Sequence, residues 1–132
     1  MNDRFKLRAF YKGKMYPVGA IFYKMEKVKI GKHLVKIDEL DSPLMQATGN
    51  RDKAETPIYE GDVIRVNDFF IEWEPFNVAV EYDEEYGSFR MEGEDFTGEH
   101  DKSDYPFNMV VECDCEVIGN IYQNPEMMEA KK

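Results

Sequence analysis

The side chains most able to do chemistry in this sequence are two cysteines, two histidines and many carboxylates. Cys113 and Cys115 are two residues apart, so on a strand they would face the same side, and a disulfide between them would close a very small, strained ring. Both thiols are therefore expected to be reduced. His33 and His100 are far from the cysteines in sequence, and the four residues match none of the usual metal-ligand spacings. The sequence predicts no metal site.

Motifs of the common enzyme classes do not occur in this sequence. It has no nucleophile elbow, no phosphate-binding loop and no dinucleotide fingerprint. Its three serines stand in no recognisable nucleophile context. Carboxylates cluster at Asp83, Glu84 and Glu85, but their spacing is not that of an EF-hand, so a weakly held divalent cation is the most that they would bind. We therefore expect no catalytic residues and no cofactor.

The formal net charge of −10 is unevenly distributed along the chain. Residues 1–36 hold ten lysines and arginines against two acids, whereas residues 67–132 hold four against eighteen. One interpretation is that the two halves attract each other and the remaining charge aids solubility. Another is a basic face for nucleic acid, or an acidic face for a basic partner. The basic side chains that would contact phosphates are Arg4, Lys6, Arg8, Lys12, Lys14 and Lys24.

Length and composition indicate one folded domain. The chain has 132 residues, of which 42% are hydrophobic and 14% aromatic, which is enough to bury a core. We expect a single domain over 1–132, with a basic N-terminal lobe (1–43) and an acidic C-terminal lobe (44–132). No apolar run approaches the roughly 20 residues that span a bilayer, and the start lacks the apolar block of a signal peptide. A cytoplasmic location in the host cell is the expectation.

The hydrophobic pattern predicts a mainly β fold, with antiparallel strands in a small barrel-like or sandwich arrangement and a short C-terminal helix. The first strand alternates, with Phe5, Leu7 and Ala9 predicted to face inward and the basic residues between them outward. A hairpin turn is expected at Lys12-Gly13-Lys14. The next strand should lie at an edge or end at Pro17, because proline cannot donate to a sheet.

Further along the chain, segments 21–23, 28–30 and 34–37 predict short strands. Ser42-Pro43 would suit the start of a single helical turn, and the segment that follows it to Thr56 is the least regular of this half. Segments 69–74 and 77–82 alternate like strands, and an acidic hairpin loop is expected around residues 83–87. The last strand passes through Cys115 and ends or bulges at Gly119-Asn120.

Residues 58–66 (IYEGDVIRV) predict a tight turn that leads into a half-buried strand. Gly61 can adopt the positive φ that other residues avoid, and Asp62 can accept a hydrogen bond from the backbone just beyond it. These backbone roles are sufficient reasons for both residues, so Asp62 is not expected to be catalytic.

Three segments together resemble the YopX family, which consists of small proteins carried by phages and prophages. They are residues 44–49 (LMQATG), 58–64 (IYEGDVI) and 116–126 (EVIGNIYQNPE). Asp52-Lys53, the opening residues up to Phe10, and residues 80–83 with Gly87 and Phe89 agree with the same family. The chain departs from the usual pattern in having Phe10 where tryptophan is more common and Ala54-Glu55 where an Asn-Gly turn is usual. The resemblance implies a mainly β, phage-associated protein without an established activity or catalytic residues. The motif positions are Gly49, Tyr59, Gly61, Asp62, Gly119, Asn120 and Pro125.

The sequence leaves two functions open, and it gives less support to a third. The first is a non-catalytic interaction module that binds an unknown phage or host protein and forms a homo-oligomer. The second is a nucleic-acid-binding protein that uses the basic N-terminal strands. A small enzyme is the third, and no catalytic motif supports it.

Overall fold

The computed structural model describes residues 5–67, 75–92 and 114–128. Within these ranges the chain forms ten strands and three short 3-10 helices. The strands are β1 (Leu7–Tyr11), β2 (Lys14–Phe22), β3 (Lys27–Ile30), β4 (His33–Lys36), β5 (Met45–Arg51), β6 (Pro57–Tyr59), β7 (Asp62–Val66), β8 (Phe76–Asp83), β9 (Ser88–Glu92) and β10 (Cys115–Asn120). The 3-10 helices are Tyr23–Met25, Ile37–Glu39 and Pro125–Met128.

The strands form two antiparallel sheets, which confirms the predicted mainly β fold. One sheet has the order β4-β3-β2-β1-β5-β6 and the other β10-β7-β8-β9. The arrangement resembles a sandwich rather than a closed barrel. The predicted C-terminal helix is the single 3-10 turn at Pro125–Met128. None of the helices in the described part of the chain has the length and apolar composition needed to cross a bilayer.

Each sheet carries its own hydrophobic cluster. In the four-stranded sheet the cluster contains Ile64, Val78 and Met91, each fully buried, and Ile58 of the other sheet joins it. In the six-stranded sheet Val28, Ile30 and Val35 form a second cluster, against which the rings of Tyr11 and Tyr16 pack, together with several aliphatic side chains. The segment around β6 and β7 therefore belongs to both sheets, and it positions the site described below.

The hairpin of β1 and β2 contains one confirmed turn and one wrong prediction. The predicted turn is present, with Lys12 (φ 46°) and Gly13 (φ 82°) as its two residues, while Lys14, which was predicted to belong to it, already begins β2. Pro17, however, lies inside β2, which runs between β1 and β3. Pro17 pairs with Arg8 at a position where antiparallel strands exchange no hydrogen bond, and pairing with β3 begins only at Val18. The missing N–H of Pro17 therefore removes no ladder hydrogen bond.

The connection from β4 to β6 also differs from its prediction. Ser42 and Pro43 start no helical turn, because the Ser42 hydroxyl accepts the Phe10 N–H (2.9 Å) and donates to the Pro43 carbonyl (2.9 Å), and β5 follows from Met45. Phe5 precedes β1 and is 62% exposed, so its predicted inward orientation is wrong. The last strand ends at Asn120, as predicted, and a bulge lies just before that position, between Val117 and Gly119. The strand predicted over 69–74 lies outside the described residues.

Candidate functional site

Arg8 and Asp62 form an ion pair where the two sheets meet. The Arg8 Nη2 lies 2.7 Å from the Asp62 Oδ1, and the two side chains are only 14% and 2% exposed. The same Nη2 donates to the Glu60 carbonyl at 3.1 Å, and the guanidinium lies 4.6 Å from the centre of the Tyr59 ring. Arg8 was predicted to face solvent and contact phosphates. The predicted orientation is wrong, because Asp62 is buried and takes Arg8 as its counter-ion, while the phosphate contact stays a prediction.

The other oxygen of Asp62 organises the turn before it. The Asp62 Oδ2 accepts the backbone N–H of Tyr59 at 2.8 Å. The expected hydrogen bond was to the backbone just beyond Asp62, so the direction of this prediction was wrong and the residue closes the turn backwards. Burial raises the pKa of the Asp62 carboxyl, while Arg8 and the Tyr59 N–H oppose that increase.

Gly61 lies within the same turn with φ +82° and no space for a side chain. A Cβ would lie 3.0 Å from the Met45 Sδ and 3.3 Å from the Tyr122 ring. The backbone of Gly61 is used fully: its N–H donates to the Val80 carbonyl (2.8 Å) and its carbonyl accepts the Ile121 N–H (2.9 Å). Glycine is therefore required here both by conformation and by close packing.

The turn after β10 is held by the Asn120 side chain. Its Oδ1 accepts the backbone N–H groups of Tyr122 (3.0 Å) and Gln123 (2.9 Å). Gly119 precedes it, and a Cβ at this position would lie 2.5 Å from the Asn124 Oδ1. These contacts fold the end of the described chain back onto the sheet, which places Ile121 and Tyr122 against Gly61.

Asp52 is a buried residue whose role the sequence does not indicate. It is 5% exposed, its Oδ1 accepts the N–H groups of Ala54 and Thr56, and its Oδ2 accepts that of Val117, each at 2.9 Å. The bonds to Ala54 and Thr56 are the kind that an aspartate at the start of a turn makes, so the sequence could have predicted these two local hydrogen bonds. The bond to Val117 of β10 spans 65 residues in sequence, and no local pattern predicts it.

An open groove lies beside the Gly61 turn and has a volume of about 780 Å³. Its apolar lining includes Leu44, Met45, Val80, Tyr82, Ile121 and Met128. Three carboxylates join them, from Glu60, Glu81 and Glu84. Burial raises the pKa of the Glu60 carboxyl, and burial together with the charge of Glu60 raises the pKa of the Tyr122 hydroxyl. Glu81 also lies 3.7 Å from the Arg90 guanidinium, so the negative charge beside the apolar surface of the groove comes mainly from Glu60 and Glu84.

Sequence comparison decides the relationship that the motifs suggested. The family model described as YopX protein matches residues 8–129, which is nearly the whole chain. The chain belongs to the YopX family. The crystal structure of protein EF1440 from Enterococcus faecalis has a similar fold, with a TM-score of 0.60 and 23% sequence identity over 94% of this chain and 97% of that one. No curated protein matches the sequence.

The YopX motif positions gather around the two turns described above. Tyr59, Gly61 and Asp62 form the first turn, and Gly119 and Asn120 form the second, while Pro125 begins the last 3-10 helix. Gly49 lies in an irregular part of β5 with φ +89°. Of these residues, Gly61 lines the groove, and the Asn120 side chain holds the turn that places Ile121 and Tyr122 beside it.

The predicted phosphate contacts are dispersed in the structure. Arg4 lies outside the described residues, and Arg8 is in the buried pair with Asp62. Lys6, Lys12, Lys14 and Lys24 are exposed, with the Lys12 ammonium 5.2 Å from the centre of the Tyr11 ring. The lysines that share one face of the sheet are different ones and lie on β3 and β4.

Proposed function

We propose that this member of the YopX family is a non-catalytic interaction module whose acidic groove binds a segment of another protein. The observation that carries the proposal is the composition of the groove: three glutamates border an apolar floor. Apolar surface that remains accessible at a groove is typical of binding sites, and Tyr82 (42%) and Ile121 (36%) are accessible here.

Charge complementarity identifies the partner segment by its chemistry. Carboxylates at the rim attract lysine and arginine side chains, and the apolar floor accommodates aliphatic or aromatic ones. The segment is therefore basic and apolar together. A partner encoded by a phage or its host agrees with the phage and prophage association that the family resemblance implies. In this proposal the chain is not an enzyme.

Selection of a random peptide library on the immobilised chain tests this function. We expect enrichment of peptides that combine lysine or arginine with large apolar residues. The variant Glu60→Gln/Glu84→Gln should bind the enriched peptides about tenfold more weakly, because it removes two rim charges and keeps the side-chain shapes.

The matched control is Asp38→Asn/Glu39→Gln, which removes two exposed acids from another part of the fold. Its binding should equal that of the unmodified chain. Equal weakening by both double variants, or enrichment of acidic peptides, would contradict the proposal. Sedimentation velocity of the isolated chain tests the accompanying expectation of a homo-oligomer, and a strictly monomeric profile would remove it.

A further inference from the structure

A second surface lies on the antiparallel strands β2, β3 and β4. It is basic, whereas the groove is acidic. The register pairs Phe22 with Lys27, Lys27 with Lys36 and Lys29 with Leu34. Side chains directly opposite each other in an antiparallel sheet share a face, and alternate residues along a strand do so too. These five residues therefore occupy one face, which we call the lysine face.

The lysine face is turned to solvent because the opposite face forms a core. Val28, Ile30 and Val35 alternate with the residues of the lysine face and are buried in the second hydrophobic cluster. Phe22 is 43% exposed and Leu34 is 53% exposed, Lys29 and Lys36 are exposed as well, and Lys27 is half-buried. The 3-10 turn that follows Phe22 adds Tyr23, which is 80% exposed.

Folding alone does not account for the pattern of charge on this face. Lys27 and Lys36 are directly opposite each other, and like charges in that position destabilise a sheet. No acidic side chain of the described residues forms an ion pair with Lys27, Lys29 or Lys36, although the whole chain has a net charge of −10. An anion bound across the strands would remove the repulsion.

The aromatic side chains narrow the choice of anion. Phe22 lies directly opposite Lys27, and the ring of Tyr23 comes next in the chain. Lysines that follow a backbone of phosphates, beside aromatic rings that stack on bases, are the combination by which β surfaces bind single-stranded nucleic acid. An acidic peptide would satisfy the lysines but would have no bases to stack on the rings.

We propose that the lysine face binds single-stranded nucleic acid, with Lys27, Lys29 and Lys36 contacting phosphates and Tyr23 and Phe22 stacking on bases. This site is separate from the acidic groove and does not depend on its function. It also replaces the phosphate contacts expected from the sequence, of which Arg8 is buried against Asp62.

Fluorescence anisotropy of the full chain with a labelled oligothymidylate of about 12 nucleotides tests the proposal. Three phosphate contacts give a slope of about −2 for log affinity against log salt between about 50 and 200 mM. The variant Lys27→Gln/Lys29→Gln/Lys36→Gln should lose at least about tenfold in affinity and nearly all of that slope. Tyr23→Ala should weaken binding by about tenfold and leave the slope unchanged, because it removes stacking and no charge.

Three controls make the result specific. Lys53→Gln removes an exposed lysine elsewhere and should bind as the unmodified chain does, and so should the groove variant Glu60→Gln/Glu84→Gln. Polyglutamate should compete far less well than unlabelled oligothymidylate. Absence of binding at low salt, equal loss in Lys53→Gln, or competition by polyglutamate as strong as that of the oligonucleotide would overturn the proposal. Melting temperatures of the variants that are no lower than that of the unmodified chain show that the loss is one of binding, and the triple lysine variant should melt higher because its Lys27–Lys36 repulsion is gone.

Discussion

Arg8 and Asp62 are 54 residues apart in sequence and 2.7 Å apart in space. Arg8 lies on β1 of the six-stranded sheet and Asp62 begins β7 of the four-stranded sheet, so this ion pair joins the two sheets. Asp62 also closes the turn in which Gly61 approaches Met45 and Tyr122. The YopX motif segment around Gly61 and Asp62 therefore connects the two sheets, and its residues Glu60 and Gly61 line the groove.

Replacing Arg8 by methionine should destabilise the protein by about 3 to 5 kcal/mol at neutral pH, because it leaves the carboxylate of Asp62 buried and unpaired. The pKa of Asp62 is already raised by burial above its ordinary value of 3.8, and loss of Arg8 raises it further. A carboxyl group with a raised pKa contributes stability while it is protonated, and this contribution is lost as the pH rises through the folded-state pKa. The deficit of Arg8→Met should therefore narrow as the pH falls towards 3.8. Urea denaturation at several pH values measures this.

The double variant Arg8→Met/Asp62→Asn is the control for charge. Asparagine keeps an oxygen that can accept the Tyr59 N–H, and it has no charge to leave unpaired. This variant should be more stable at neutral pH than Arg8→Met alone, and its deficit should not narrow as the pH falls, because it has no carboxyl group at position 62 to protonate. A deficit of Arg8→Met that is the same at every pH would contradict the role given to the ion pair.

Gly61→Ala should cost about 2 to 4 kcal/mol, of which about 1 to 2 kcal/mol comes from its positive φ and the rest from the contacts of the new Cβ with Met45 and Tyr122. Gly13 is a matched control, since it has the same φ of +82° and nothing within 4 Å of its Cβ position. Gly13→Ala should show only the conformational cost. Equal denaturation midpoints for the two variants would show that the close packing is unimportant. Gly61→Val should be more severe than Gly61→Ala, because a β-branched side chain is poorly suited to positive φ.

Local features of this fold were predictable from the sequence, and long-range ones were not. The Lys12-Gly13 turn, the acidic loop before Gly87 and the irregularity near Gly119 depend on neighbouring residues and were found. The position of Pro17 depends on where β3 begins to pair, which no local pattern contains.

The site shows the same division. Gly61 and Asp62 were identified as a turn, but the partner of Asp62 is an arginine on another sheet, so alternation alone placed Arg8 on the surface. The lysine face was missed because its members become neighbours only through the register of β2, β3 and β4. Its basic residues were visible in the composition, while their common face was not.

Gly119→Ala should destabilise the turn after β10, because the new Cβ would lie 2.5 Å from the Asn124 Oδ1 and 2.9 Å from the Met127 Sδ. Overpacking of this kind costs about 1 to 3 kcal/mol. Adding Asn124→Ala should recover part of the loss, since it removes the nearest atoms. A double-mutant cycle in urea measures the coupling, and the prediction is wrong if the two changes are additive within about 0.5 kcal/mol.

Asp52→Ala should cost about 2 to 4 kcal/mol, because three backbone N–H groups lose their acceptor and one of them belongs to β10. The control is Asp83→Ala, since the Asp83 Oδ1 also accepts two backbone N–H groups, but in the exposed turn before Gly87. Its other oxygen lies 3.7 Å from the Arg90 guanidinium, a long ion pair that contributes little. Water can replace those bonds, so this variant should lose no more than about 1 kcal/mol.

Hydrogen exchange shows where in the chain Asp52→Ala loses protection. The Val117 amide should exchange faster in Asp52→Ala, because its acceptor is the Asp52 carboxylate, whereas Asp83→Ala should leave that amide unchanged. Equal protection of Val117 in both variants would mean that Asp52 stabilises its own turn and does not tie that turn to β10.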